Sequence, residues 1–143
     1  MFDEPVRNVM RLREVLKAAP ETLVSEAAKL MAAQKVGAIM VVEGNRLVGI
    51  VTERDVLFRV VARGLDARTT RLADVMTCAP YTIDPDEPFG YALLVMHEKG
   101  FRHLPVVQHG KPIGIVSSRD AMDPELEDFA SEELRRKSFN KQR

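Results

Sequence analysis

The sequence predicts an α/β fold of two like β-α-β-β-α repeats followed by a C-terminal helix. Three observations predict it. One segment recurs at a fixed offset, each copy joins a helix-period stripe to two short β-branched runs, and 143 residues suit about one compact domain. Gly49-Ile50-Val51-Thr52-Glu53-Arg54-Asp55 returns 65 positions later as Gly114-Ile115-Val116-Ser117-Ser118-Arg119-Asp120. The same offset aligns Pro20 with Pro85, Ala27 with Ala92, Met31 with Met96, Ile39 with Leu104, and Val41-Val42 with Val106-Val107. A single ungapped offset of this length marks a duplication. Each copy alone is near the lower size limit for a stable core, so a core common to both is expected.

The elements follow in order. A short extended segment opens each copy, Glu14–Ala18 and Tyr81–Asp84. A helix comes next. Thr22 is placed to cap the first, and Pro88 suits the first position of the second, where its missing N–H is no loss. Leu23, Ala27, Leu30 and Met31 share one helical stripe, as do Phe89, Leu93 and Met96. Two strands then form a hairpin. In the first copy Ile39–Val42 and Leu47–Val51 flank Glu43-Gly44-Asn45. In the second, Leu104–Val107 and Ile113–Val116 flank residues 108–111. The last strand runs into Thr52-x-x-Asp55 or Ser117-x-x-Asp120 and a closing helix, whose apolar stripe in the first copy is Val56, Leu57, Val60 and Val61, ending at Gly64. The boundaries predicted are 8–64 for the first repeat, 65–74 for a linker, 75–122 for the second repeat and 123–143 for a helical tail. In that tail Asp123 is a cap, Pro124 the first helical residue, and Leu126, Phe129, Ala130 and Leu134 a stripe that a second copy, a partner or the protein's own surface would cover.

Composition removes several classes of function. Hydrophobic residues make up 45% and charged residues 29%, too apolar for a disordered chain. Twenty-one basic residues balance twenty-one acidic ones, whereas a general nucleic-acid binder carries a basic excess. Cys78 is the only cysteine, so an internal disulfide and a cysteine zinc cluster are excluded. His97, His103 and His109 match no metal-ligand spacing, and no metal is expected. No apolar run reaches the ~20 residues of a membrane span, and acids stand where a signal peptide is basic. A cytoplasmic location without nucleic-acid or membrane partners is expected. Neither a Ser/His/Asp order nor a Walker-type loop is present, so a catalyst is not expected.

Over roughly residues 10–122 the chain resembles a tandem pair of CBS (cystathionine-beta-synthase-type) domains. The resemblance rests on Gly-Ile-Val-Thr/Ser-x-Arg-Asp closing each copy, on Arg102-His103-Leu104-Pro105-Val106-Val107, and on Asp74-Val75-Met76-Thr77. It implies repeats packed about a pseudo-two-fold axis with two clefts between them. It implies regulation through an adenine nucleotide (AMP, ATP, NAD or S-adenosylmethionine) and assembly as a homodimer. An unknown effector chain would receive the signal.

Elementary chemistry agrees with a nucleotide. A helix starting at Thr52 or Ser117 aims unpaired N–H groups at an anion, and the hydroxyl adds a donor. Asp55 and Asp120, acceptor-only when ionised, suit the two hydroxyls of a ribose. Arg54, Arg119, Arg102 and His103 are the cations for phosphate. The family's cleft logic pairs Asp120, Ser117 and Arg119 with an adenine slot of Lys17, Ala18, Val36, Gly37 and Ala38. It pairs Asp55, Thr52 and Arg54 with Thr82, Ile83, Asp84 and Phe101. Two plainer readings stand beside this. Thr52-x-x-Asp55 and Ser117-x-x-Asp120 are also helix capping boxes, and the fold could be a ligand-free interaction module with vestigial clefts.

Overall fold

A computed structural model describes residues 2–10, 15–121 and 132–137. In chain order the elements are α1 (Val6–Val9), β1 (Lys17–Ala18), α2 (Val24–Gln34), β2 (Ala38–Glu43), β3 (Arg46–Thr52), α3 (Glu53–Asp55) with a π-helical extension (Val56–Val61), α4 (Leu72–Val75), β4 (Thr77–Cys78), α5 (Phe89–Lys99), β5 (His103–Gln108), β6 (Lys111–Ser117) and a 3-10 turn (Ser118–Ala121). The α/β class and the duplicated order are those the periodicity predicts. Residues 132–137 are helical, with Arg136 and Glu133 paired one turn apart at 3.6 Å. The expected cap Asp123, Pro124 and the stripe residues Leu126, Phe129 and Ala130 lie outside the described residues.

The two hairpins carry the repeat. Ala38 faces Thr52 in the first, and His103 faces Ser117 in the second, with a bulge after Val41 and after Val106. Gly44 and Asn45 turn the first with positive φ, and His109 and Gly110 turn the second, which is what a tight hairpin of right-twisted strands requires. The opening segments differ. Lys17–Ala18 pairs parallel to β2, giving the order β1-β2-β3-β4, whereas the Tyr81–Asp84 segment makes a single parallel bridge from Ile83 to Val106.

The expected common core divides in two. Val24, Ala27, Met31, Ile39, Val41, Val51, Val60, Leu72 and Val75 form one cluster. Val6, Ile83, Phe89, Ala92, Met96, Leu104, Val106 and Val116 form the other. Each unit is completed by a strap from outside its own repeat. Leu72 and Val75 of α4 enter the first core, and β4 adds to β3. Val6 of α1 enters the second core beside Phe89. The exchange adds apolar surface to two units that are each too small to bury enough alone.

The straps also explain the helix starts. Leu23, not Thr22, is the N-cap of α2, and Pro88 is itself the N-cap of α5 rather than its first residue. Neither helix has a side-chain cap. Strap carbonyls accept the orphan N–H groups instead: Thr70 O from Val24 N at 2.9 Å, Glu4 O from Phe89 N at 2.7 Å and Phe2 O from Gly90 N at 2.9 Å. A side-chain cap is thus replaced by a tertiary one.

Two apolar stripes are only half buried. Leu30 is exposed on α2, although Ala27 and Met31 are buried. After α3 the chain adopts i→i+5 bonding, as from Ala62 N to Leu57 O, and this rotates the stripe. Val60 stays buried while Leu57, Phe58 and Val61 face outward.

Candidate functional site

Strand ends β3 and β6, at the carboxyl edges of the two hairpins, border two clefts that share a wall. The large cleft, about 900 Å³, is lined from the first unit by Val36, Gly37 and Ala38, and from the second by Arg102, His103, Ser117, Arg119 and Asp120. The small cleft, about 330 Å³, is lined by Thr52, Arg54, Asp55, Phe101, Arg102 and His103. Arg102 and His103 reach both because they stand where α5 has ended and β5 begins. Gly100 closes α5 in a left-handed conformation, which needs no side chain.

The carboxylates sit differently. Asp120 is buried, in the 3-10 turn, and its Oδ2 accepts the Ser117 N–H at 2.8 Å. Asp55 Oδ2 accepts from Thr52 N at 2.8 Å and Thr52 Oγ1 at 3.1 Å, while Thr52 Oγ1 accepts from Asp55 N at 3.3 Å. That is a complete capping box, and Arg59 Nε adds an ion pair at 3.6 Å to Asp55 Oδ1. Burial holds the His103 imidazole below its usual pKa, and the acids Glu53 and Asp120 oppose that shift. Neighbouring Arg119 and Arg102 add to the lowering.

A family model described as the CBS domain matches residues 6–62 and again residues 72–125. The chain belongs to the CBS domain family. A curated relative, the meiotically up-regulated gene 70 protein of Schizosaccharomyces pombe, is 42% identical over 125 residues, covering 79% of this chain and 17% of that protein. The chain therefore spans under a fifth of that relative's length. Among solved structures, an uncharacterized conserved protein from Pyrococcus horikoshii has a TM-score of 0.80 at 28% identity, covering 87% of this chain and 94% of the other. A CBS domain protein from Pyrobaculum aerophilum, complexed with AMP, has a TM-score of 0.78 at 25% identity, covering 90% and 99%. The fold is thus a CBS pair, its repeats related by a pseudo-two-fold axis.

In this CBS pair eight of the residues expected around Asp120 line the large cleft: Val36, Gly37, Ala38, Arg102, His103, Ser117, Arg119 and Asp120 itself. Lys17 and Ala18 do not. Lys17 Nζ donates to the Pro112 carbonyl at 3.4 Å, and Ala18 packs on the first core. Around Asp55, Thr52, Arg54 and Phe101 line the small cleft, and Thr82, Ile83 and Asp84 lie elsewhere. Ile83 is buried in the second core, and Asp84 Oδ1 accepts the Asp86 N–H at 2.9 Å. Because this segment forms one bridge rather than a strand, Tyr81 is the residue that turns toward the cleft. It stacks on Phe101 with centroids 5.8 Å apart, and Lys99 Nζ lies 5.1 Å from its ring centre.

Sequence reasoning passed over Glu53, Tyr81 and Lys99. Glu53 lines both clefts, and its signal was its place inside the repeated motif, where the second copy has Ser118. Tyr81 was visible only as part of an extended segment. Among the described residues no group of three or more His, Cys, Asp or Glu side chains is placed to hold a metal, and no helix is long and apolar enough to cross a membrane.

Proposed function

We infer that this CBS pair is a regulatory module that binds an adenine nucleotide between its repeats and passes occupancy to a partner chain or to its own assembly. One observation carries the reading. A buried carboxylate, Asp120, stands at the end of β6 in a cleft whose rim holds Arg102, Arg119 and His103 and whose opposite wall is the small-residue run Val36-Gly37-Ala38. In this reading Asp120 and Asp55 take the ribose diol. Ser117, Thr52, Arg54, Arg119, Arg102 and His103 meet the phosphate. Val36, Gly37, Ala38 and, in the small cleft, Phe101 face the base. The AMP complex of the P. aerophilum relative supports the ligand class. Homodimerisation fits a module that must relay occupancy, and a hexameric CBS-CP12 protein from cyanobacteria shows that assembly occurs in a structural relative.

A ligand-free interaction module is the second reading. It is favoured by Asp55, whose carboxylate is already engaged by its cap and Arg59, and by the exposed Leu57, Phe58 and Val61 beside it. Thermal unfolding with AMP, ATP, NAD and S-adenosylmethionine separates the two. A ligand at about 100 times its dissociation constant stabilises the fold by about 2.7 kcal/mol, and Asp120→Ala should abolish the response in the large cleft. No shift with any of these ligands would leave the interaction module.

A further inference from the structure

Both clefts end at one junction, and its charge is unusual for a phosphate site. Glu53 lines the large cleft and the small one. Its main chain is fixed, since Glu53 N donates to Gly37 O at 2.9 Å. Its side chain reaches the point beside Gly37 where a β-carbon would sit. Glu53 Oε1 is 3.2 Å from that point and His103 Nε2 is 3.3 Å from it. The carboxylate therefore stands with the imidazole at the meeting place of the clefts. The equivalent position in the second repeat is Ser118, so the acid belongs to one copy and is not demanded by the fold.

Each cleft has its own arginine, Arg119 or Arg54, and its own lysine, Lys35 or Lys99, and both share Arg102. A single phosphate is matched by those two guanidiniums. A longer tail that extends into the junction meets the Glu53 carboxylate there, beside an imidazole that burial holds below its usual pKa. Resting on the nucleotide reading, we propose that Glu53 sets the tail length the clefts accept: adenosine with one phosphate binds, and a triphosphate is repelled.

Calorimetric titration of the whole chain with AMP, ADP and ATP in EDTA tests this, using wild type and Glu53→Gln. The glutamine keeps shape and main-chain bonding and removes only charge. ATP carries two more negative charges than AMP into the junction that holds the acid. Wild type should therefore prefer AMP by about tenfold or more, and the variant should gain about tenfold in ATP affinity while AMP changes by less than about twofold. ADP should fall between. ATP binding wild type as tightly as AMP, or a variant that shifts both nucleotides equally, would overturn the assignment. Absence of binding by all three nucleotides to both proteins would remove the nucleotide reading itself, a different result from binding without discrimination.

Discussion

Gly49→Ala tests whether the strap from residues 72–78 belongs to the first unit as tightly as its contacts indicate. Gly49 lies in β3 opposite Cys78, and Met76 crosses directly over it. A β-carbon there would overlap Met76 Sδ, and would lie 2.9 Å from Met76 Cγ and 3.1 Å from the Thr77 carbonyl oxygen. The thioether is flexible, but the carbonyl is main chain, held by the β3–β4 pairing. Relief takes both a swing of the Met76 side chain and a lift of the strap. Overpacking of this kind costs about 1–3 kcal/mol, and each kcal/mol lowers the melting temperature of a chain this long by about 2–4 °C. Urea denaturation gives the loss directly. Gly114→Ala is the internal comparison. Its β-carbon would meet Met10 Sδ at 2.7 Å, but its next contact is an ordinary 3.4 Å, so only a thioether has to move and the loss should stay under about 1 kcal/mol. Adding Met76→Ala to Gly49→Ala should recover at least about 1 kcal/mol relative to the sum of the single changes. An unchanged urea midpoint for Gly49→Ala, or strict additivity with Met76→Ala, would refute the strap argument.

Two more outcomes are expected. Asp120→Ala strands the Ser117 N–H that its carboxylate accepts, so the ligand-free fold should lose about 1 kcal/mol, while Asp120→Asn retains an acceptor and most of that stability in the same urea assay. His103 titrates below its ordinary 6.5 in the fold, so between the two values the unfolded chain binds more protons. Stability should therefore fall as pH drops through 6.5 toward the folded value; urea midpoints across that window should show a shallower fall for His103→Gln, and an equal fall would contradict the burial of the imidazole.

The duplication, the α/β class and the two hairpins were legible in the sequence because they depend on local rules. Repeated spacing, alternating β-branched runs and turn residues act within a few positions of one another. That Asp55, Asp120, Arg102 and His103 stand together at the strand ends was legible for the same reason, since each sits in a repeated or strand-flanking motif. The adenine slots were legible only in part: Val36, Gly37, Ala38 and Phe101 line the clefts, whereas Lys17, Ala18, Thr82, Ile83 and Asp84 do not. Lys17 and Thr82 came from the family's cleft logic, carried onto opening segments that pair for only two residues or one.

What the sequence determined by itself was two copies of one unit, each ending a strand in a hydroxyl and an aspartate. Tertiary structure alone decided that the copies exchange straps, that strap carbonyls replace side-chain caps, and that Glu53 and His103 meet at a junction of two clefts. The reason is physical. A stripe or a cap is set by neighbours along the chain, whereas an unpaired N–H or an apolar face takes whichever partner the whole chain brings to it, and nothing in the spacing of residues 2–10 or 72–78 says which unit that will be.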